Sequence, residues 1–152
     1  MKDSGKKCTE TGRYDCIKLE NQLCFPLYAC SKEIIRRYRP FLGELELTYT
    51  QYLVMLVLWE RQSLSSKELG QALYLDSGTL TPVLKKLEEK GLLSRRRSGD
   101  DERNLIVSIS EAGEELKHRA AHVPQSLASC VKLDADEARE LYRLLYKFLG
   151  SL

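Results

Sequence analysis

The sequence predicts a mainly α-helical chain with a small β-hairpin wing, an α+β fold in which a winged helix-turn-helix forms part of an intertwined helical homodimer. Three observations favour this fold. Two short capped helices follow one another from residue 65. A basic strand, a charged turn and a returning strand come directly after them. Apolar stripes at helical spacing lie near both chain ends, and each needs a surface to cover it.

The 152 residues fit one compact domain with four regions. We expect a flexible polar tail at 1–16 and an N-terminal helical region with dimer contacts at 17–47. The winged helix-turn-helix should occupy 48–110 and C-terminal dimerisation helices 111–152. No apolar run reaches the roughly 18 residues that cross a bilayer, and the Lys-rich start lacks the apolar core of a signal peptide. The sequence therefore predicts a cytoplasmic protein with no membrane partner.

Helical spacing dominates the first third of the chain. From about residue 18 to 41, apolar residues recur at three- and four-residue steps, which predicts one long helix. Pro26 lies near its start, so the helix either begins near Pro26 or kinks there. Thr48 and Gln51 form a capping box before the apolar run 52–59. That run is too hydrophobic for a surface helix and should lie at the centre of the domain.

The next segment predicts the two helices of a helix-turn-helix. Ser65 and Glu68 form a second capping box for a short helix that ends near residues 74 and 75. Asp76 can cap the following helix, and Gly91 can stop it. Its apolar face alternates with polar positions, as in a helix that presents side chains to DNA. Those positions are Ser77, Thr79, Thr81, Lys85 and Lys86.

A net charge of +2 is too small to indicate a nucleic-acid partner, so the evidence is local. Residues 92–97 predict a basic strand, 98–101 a charged turn and 105–109 an alternating returning strand. Without that context the basic residues would fit a solvated face. With it, they suit the phosphates and narrow minor groove of double-stranded DNA. The basic cluster contains Lys85, Lys86, Lys90, Arg95, Arg96, Arg97 and Arg103.

Helical patterns return after the wing. Ser110 can cap a helix that runs to about His122, and Asp134 can cap a last helix with a broad apolar face. Because stripes lie at both chain ends, we expect an intertwined homodimer. A two-fold dimer would place two recognition helices about one DNA turn apart on a pseudo-palindromic operator.

Five cysteines, an odd number without zinc-like spacing, indicate redox-active or reduced thiols rather than a disulfide framework. By spacing alone, Cys24 between Leu23 and Phe25 fits a buried core cysteine. His118 and His122 fit a solvated helix face or a pair of metal ligands, although no further ligand accompanies them. The sequence predicts no cofactor and no enzyme activity, because a peroxidase would need a Cys-Thr/Arg constellation that is missing.

Three motifs resemble one family. They are Leu-Asp-Ser-Gly-Thr-Leu-Thr-Pro at 75–82, Asp-Glu-Arg at 101–103 and Asn-Gln-Leu-Cys-Phe at 21–25. Together with Tyr28, Tyr38 and Tyr49 they resemble the MarR family of repressors, in particular its organic-hydroperoxide-sensing branch, OhrR. The resemblance covers about residues 19–152.

The resemblance implies a homodimer in which an organic hydroperoxide oxidises the Cys24 thiolate and the operator is then released. Tyr28 follows Cys24 by four residues, and residues matching Tyr38 and Tyr49 reach the same sulfur from the other subunit. In one subgroup of the family a cysteine near Cys130 closes an intersubunit disulfide with the sensing thiol. A one-cysteine mechanism with a small thiol is the alternative. Cys8, Cys16 and Cys30 compete with Cys130, although helical spacing makes Cys30 a core cysteine.

On DNA, short hydroxyl side chains at the front of the recognition helix can approach base edges or phosphates, with two lysines behind them. These are Ser77, Thr79, Thr81, Lys85 and Lys86. Arg103 should enter the minor groove while Asp101 holds its guanidinium, and Arg95 and Arg97 should contact the DNA backbone. A metal- or small-ligand-responsive regulator of the same fold is the second hypothesis.

Overall fold

The computed structural model describes residues 14–97 and 105–152. They belong to two compact units, Met1–Arg37 and Tyr38–Leu152. The predicted mainly α-helical fold with a small β wing is confirmed, since the described chain is mostly helical with a small antiparallel sheet, whereas the homodimer stays a prediction. Its helices are α1 (Cys24–Gly43), α2 (Tyr49–Arg61), α3 (Ser66–Leu73), α4 (Ser77–Glu89), α5 (Glu111–Ala120), α6 (Val123–Ala128) and α7 (Ala135–Leu149). Its strands are β1 (Ser63–Ser65), β2 (Leu93–Arg97) and β3 (Leu105–Ile109).

In the first unit, two 3-10 turns, Asp15–Ile17 and Leu19–Asn21, precede α1, so the prediction of a helix from residue 18 is wrong. The Asn21 side chain donates to the Asp15 carbonyl at 2.7 Å, and the Gln22 side chain donates to the Cys16 carbonyl at 2.6 Å. These side chains occupy backbone carbonyls that would otherwise accept the hydrogen bonds of a regular α-helix, so they disfavour a helix at this point. α1 begins at Cys24, which places Pro26 in its first turn, where a missing N–H is tolerated. Most of the expected tail, residues 1–13, lies outside the described residues.

Helix α2 forms the centre of the second unit, as its apolar run predicts. Val54, Met55 and Leu58 have no exposed surface. The Thr48–Gln51 capping box that starts the helix is present in full. The core of this unit therefore forms around α2, and the other elements pack on a helix that is buried on several sides.

The helix-turn-helix has the predicted boundaries. Ser65 and Glu68 form the capping box of α3, and Asp76 caps α4. Between them Tyr74 adopts the left-handed conformation (φ 54°, ψ 38°). A Cβ on Gly70 would meet the Leu75 carbonyl oxygen at 2.8 Å, so glycine is required where the turn crosses α3. Gly91 has φ +72° just after α4, which agrees with its predicted role as a stop.

The wing is part of a three-stranded antiparallel sheet in the order β1-β3-β2. Leu93 pairs with Ile109 and Arg97 with Leu105, as expected for a hairpin. The sequence did not predict β1, because three residues are too few to show a period. β1 pairs with β3 and connects α2 to α3, so the wing grows directly from the helical core.

The helix predicted from Ser110 to about His122 is divided in two. Ser110 caps α5 through the Gly113 N–H at 3.0 Å, but α5 ends at Ala120. α6 then begins at Val123, with Pro124 in its first turn. The proline has no N–H to continue the α5 ladder, which explains the break. α7 is capped by Asp134 as predicted, and all of its residues are exposed.

Candidate nucleic-acid interface and thiol site

The N-terminus of α4 is fixed by its cap. One carboxylate oxygen of Asp76 accepts from the Thr79 N–H at 2.9 Å, and the other accepts from the Thr79 hydroxyl at 2.8 Å. These hydrogen bonds lower the pKa of Asp76 below its ordinary value. The Thr81 hydroxyl donates to the Ser77 carbonyl at 2.7 Å. Both threonine hydroxyl protons are thus used within the helix, which leaves their oxygens to accept hydrogen bonds from outside.

The predicted polar row of α4 lies on one exposed surface. Ser77, Thr79, Thr81, Lys85 and Lys86 are all exposed. Lys85 has only a long contact with Glu89, 3.9 Å between Nζ and Oε1. The opposite side of α4 is buried through Leu80, Leu84 and Leu87. The helix is therefore held by its apolar side, and its polar side faces solvent.

The wing arginines differ from one another. Arg97 is exposed, whereas the Arg95 side chain is only 20% exposed and its guanidinium lies against Glu88 of α4. Arg95 Nη2 and Nε donate to Glu88 Oε2 at 2.6 and 2.9 Å. These bonds lower the pKa of Glu88. Asp101 and Arg103, predicted at the wing tip, lie outside the described residues.

The base of the wing is fastened to α2 and α5. The Ser110 N–H donates to the Leu92 carbonyl at 3.1 Å, and Trp59 Nε1 donates to the Gly113 carbonyl at 2.8 Å. The Ile109 N–H donates to the Gln62 carbonyl at 2.9 Å. Hydrogen bonds from the end of α2 and the start of α5 thus meet where β2 and β3 leave the core.

Cys24 is the first residue of α1, and it is exposed in the single chain. The interpretation as a buried core cysteine is therefore wrong for this chain. Unsatisfied N–H groups in the first turn of a helix favour a negative charge such as a thiolate. Tyr28, one turn further on, is 63% exposed and has Lys32 Nζ 5.9 Å from its ring centre.

Tyr38 and Tyr49 lie together in the second unit, with ring centres 4.9 Å apart. Tyr52 joins them at 5.9 Å from Tyr38, and its own ring meets Trp59 at 6.1 Å edge to face. Burial, followed by the neighbouring phenols Tyr49 and Tyr52, raises the pKa of Tyr38 to about 12. Sequence reasoning missed Tyr52, although its position three residues after Tyr49 on α2 places it on the same helix face.

The other thiols differ in surroundings. Cys130 follows α6 and is exposed, and its Sγ lies 3.5 Å from the Ser126 carbonyl oxygen. Cys30 is also exposed, so its prediction as a core cysteine is wrong. Cys16 lies in the first 3-10 turn, and Cys8 lies outside the described residues.

His118 and His122 do not lie on one regular helix, because α5 ends between them. His122 contacts the Arg119 carbonyl at 2.9 Å and lies 3.8 Å from a Glu44 carboxylate oxygen. Within residues 14–97 and 105–152, no group of three or more His, Cys, Asp or Glu side chains is placed to hold a metal ion. None of the helices in that same part of the chain is long and apolar enough to span a membrane.

A capped recognition helix beside a basic two-stranded wing defines a winged-helix DNA-binding protein. Comparison with known proteins agrees. Residues 36–120 match the family described as transcriptional regulator SarA/Rot. The chain belongs to this family of winged-helix transcriptional regulators, which confirms the resemblance to MarR-type regulators, and it is a transcriptional regulator rather than an enzyme.

Two curated relatives cover nearly the whole chain. The organic hydroperoxide resistance transcriptional regulator of Bacillus subtilis is 46% identical over 92% of this chain and 95% of its own. The transcriptional regulator SarZ of Staphylococcus saprophyticus is 44% identical over 88% and 91%.

Solved structures give the same fold. Reduced AbfR bound to DNA superimposes with a TM-score of 0.74 at 34% identity, over 91% of this chain and 96% of that one. Disulfide-formed AbfR gives a TM-score of 0.59 at 32% identity, over 94% of this chain and 95% of that one. A mutant MarR of E. coli in complex with operator DNA gives a TM-score of 0.72 at 26% identity, over 84% of this chain and 93% of that one.

Proposed function

We propose that this regulator is a homodimeric repressor that binds a pseudo-palindromic operator and senses organic hydroperoxides through Cys24. The observation that carries the proposal is an exposed thiol at the first residue of a helix, in a winged-helix chain that resembles a hydroperoxide-resistance regulator. Oxidation of Cys24, with Cys130 of the second subunit as resolving thiol, then releases the DNA.

The proposed chemistry needs two thiols and one oxidant. The Cys24 thiolate attacks the terminal oxygen of the hydroperoxide, the O–O bond breaks, and an alcohol leaves while the sulfur becomes a sulfenic acid. The Cys130 thiol then displaces water and forms the disulfide. Exposure of both thiols in the single chain supports this. So does AbfR, which has been solved in reduced, overoxidised and disulfide-formed states.

Three phenols would complete the thiol site. In the dimer we place Tyr38 and Tyr49 of one subunit beside Cys24 of the other, with Tyr28 from the same helix as Cys24. Tyr38 suits this role because its raised pKa keeps it a neutral hydrogen-bond donor to a thiolate. The aromatic rings would also provide an apolar surface for an alkyl hydroperoxide.

Exposed apolar surface supports the dimer. α7 carries a continuous apolar face that nothing in the described part of the chain covers, and a monomer would leave this surface in water. Its residues are Leu141, Tyr142, Leu144, Leu145, Tyr146, Phe148 and Leu149. The exposed Leu23 and Phe25 near the start of α1 are further candidates for the same interface.

On DNA, we place α4 in the major groove and the wing over the adjacent minor groove. Ser77, Thr79 and Thr81 would accept hydrogen bonds from base edges. Lys85, Lys86 and Arg97, all exposed, would contact phosphates. Arg103 in the minor groove, with Asp101 holding its guanidinium, stays a prediction, because both residues lie outside the described part of the chain. Arg95 differs from Arg97, because its guanidinium is already paired with Glu88.

A cavity favours a second candidate function, a regulator that responds to a small ligand. The cavity has a volume of about 540 Å³ and lies between α3, α4 and β3. Its lining includes the apolar side chains Leu75, Leu80, Leu84 and Leu105 and one basic side chain, Lys67. A ligand bound here would act next to the recognition helix without any change at Cys24.

The test measures binding to a promoter fragment by fluorescence anisotropy before and after stoichiometric cumene hydroperoxide. Wild type, Cys24→Ser and Cys130→Ser are compared, with non-reducing gels alongside. We expect wild type to release DNA and to form a linked dimer that needs both thiols, whereas Cys24→Ser stays bound. A Cys24→Ser protein that still releases DNA would contradict the proposal. Release by a metal ion or an apolar acid without oxidant would favour the second candidate.

A further inference from the structure

Glu88 and Arg95 are joined by three hydrogen bonds between the end of the recognition helix and the start of the wing. Glu88 Oε2 accepts from Arg95 Nη2 at 2.6 Å and from Nε at 2.9 Å. Glu88 Oε1 accepts from the Arg95 backbone N–H at 3.0 Å. One carboxylate therefore holds both the side chain and the main chain of a single wing residue.

The backbone contact follows from the sheet order. β2 lies at an edge of the sheet, with β3 as its only strand partner within the described residues. Arg95 stands opposite Val107, and its N–H is directed to Glu88. The carboxylate thus completes a hydrogen bond that a further strand would otherwise provide. It joins α4 to β2 at a defined point of the strand.

The pair is also the least solvated ion pair of the described chain. The side chains are 20% exposed for Arg95 and 36% for Glu88, whereas the other ion pairs have side chains between 42% and 89% exposed. Charge-assisted hydrogen bonds shielded from water are stronger than exposed ones. If the Arg95 guanidinium moved to a phosphate, Glu88 would lose both of its side-chain donors and keep only the Arg95 backbone N–H, which would leave the negative charge of the carboxylate unpaired.

We propose that Glu88 and Arg95 are positioning residues that fix the wing relative to the recognition helix. Arg95 then stays on Glu88 when DNA is bound and does not contact a phosphate, which revises its expected role. This inference rests on the proposed DNA interface of α4 and the wing. The DNA interface and the Glu88–Arg95 contact can be tested separately. Substitutions of exposed Arg97 and Lys85 test the interface, and substitutions of Glu88 and Arg95 test the contact between α4 and β2.

The experiment measures operator affinity as a function of salt, at a temperature where circular dichroism shows each variant to be folded. Glu88→Gln removes the negative charge that pairs with Arg95. Glu89→Gln is its matched control, because it removes the same charge from the next residue of α4, whose one ion-pair contact is the 3.9 Å approach of Lys85. We expect Glu88→Gln to bind roughly tenfold more weakly, as for loss of one charge-assisted hydrogen bond, and Glu89→Gln to bind as wild type or slightly more tightly.

The salt dependence separates positioning from contact. Each phosphate contact contributes about one to the slope of log affinity against log salt concentration. We expect Arg95→Gln and Glu88→Gln to leave that slope unchanged while lowering affinity, and Arg97→Gln to reduce it by about one. A merely stabilising pair would lower the melting temperature and leave the affinity of the folded variants unchanged, which would overturn the inference.

Two further results would also overturn it. If Arg95→Gln reduces the slope by about one and Glu88→Gln binds more tightly than wild type, Arg95 contacts a phosphate and Glu88 competes with it. If Arg97→Gln and Lys85→Gln also leave affinity and slope unchanged, the proposed DNA interface itself fails, and the inference fails with it.

Discussion

The phenol of Tyr38 is the side chain whose acidity the fold changes most clearly. Burial and two neighbouring phenols raise the pKa of Tyr38 from 10.0 to about 12. The unfolded chain would release this proton near pH 10.0, whereas the folded chain keeps it to about pH 12. The contribution of Tyr38 to stability is therefore complete below pH 10.0 and is lost as the pH rises to about 12.

This linkage gives a prediction for Tyr38→Phe. The wild-type free energy of unfolding should fall more steeply between pH 10 and about 12 than that of the variant, because phenylalanine has no proton to lose. Urea titrations at a series of alkaline pH values measure the difference. Parallel curves for the two proteins would show that Tyr38 is not shielded from solvent in the fold.

Residue-scale features could be predicted where one helix or one turn decides them. The caps at Asp76 and Ser110 depend on local spacing, and both are present. The exposure of Cys30 and the pairing of Arg95 with Glu88 depend on tertiary packing. A local hydrophobic pattern carries no information on which of its members another element covers, so these features were predicted wrongly or missed.

At the scale of the elements, the backbone of α5 approaches the base of the wing closely at Gly113. A Cβ added to Gly113 would lie 2.1 Å from the Leu92 carbonyl oxygen and 2.8 Å from Ile109 Cγ1. Both neighbours belong to the base of the wing, and the Leu92 carbonyl also accepts from the Ser110 N–H. An added Cβ would therefore force the Leu92 carbonyl or α5 to shift.

We therefore expect Gly113→Ala to destabilise the protein by about 3 kcal/mol, the upper part of the usual range for overpacking. Gly43→Ala is the control, because a Cβ at Gly43 meets nothing within 4 Å. Chemical denaturation of both variants measures the difference. Equal stabilities would mean that the junction is looser than the structure shows.

The element boundaries show where sequence patterns suffice. α2, α3, α4 and α7 were predictable because each has a cap residue followed by an apolar period. The apolar period alone places the start of the first helix too early, because the Asn21 and Gln22 side chains bind backbone carbonyls of the preceding turns. The alternative in which α1 begins near Pro26 is confirmed. The break between α5 and α6 depended on Pro124, and β1 was too short to carry a period.

For the whole molecule, the apolar face of α7 makes the proposed dimer testable. Leu145→Glu places a charge on this face and should give a monomer at concentrations where wild type is dimeric. Lys147→Glu, on the opposite side of α7, is the control and should remain dimeric. Sedimentation velocity measures both. A dimeric Leu145→Glu protein would exclude this face from the interface.

Oxidation of Cys24 is proposed to cause release of DNA, and one hydroperoxide titration that measures both quantities tests this most directly. A Cys30→Ser background is needed so that the tryptic peptide 19–32 contains one thiol, Cys24. Mass spectrometry of this peptide gives the oxidised fraction of Cys24, and anisotropy gives the released fraction of operator. We expect the two fractions to rise together. DNA that stays bound when Cys24 is fully converted to the disulfide, or is released while Cys24 is still reduced, would contradict the claim.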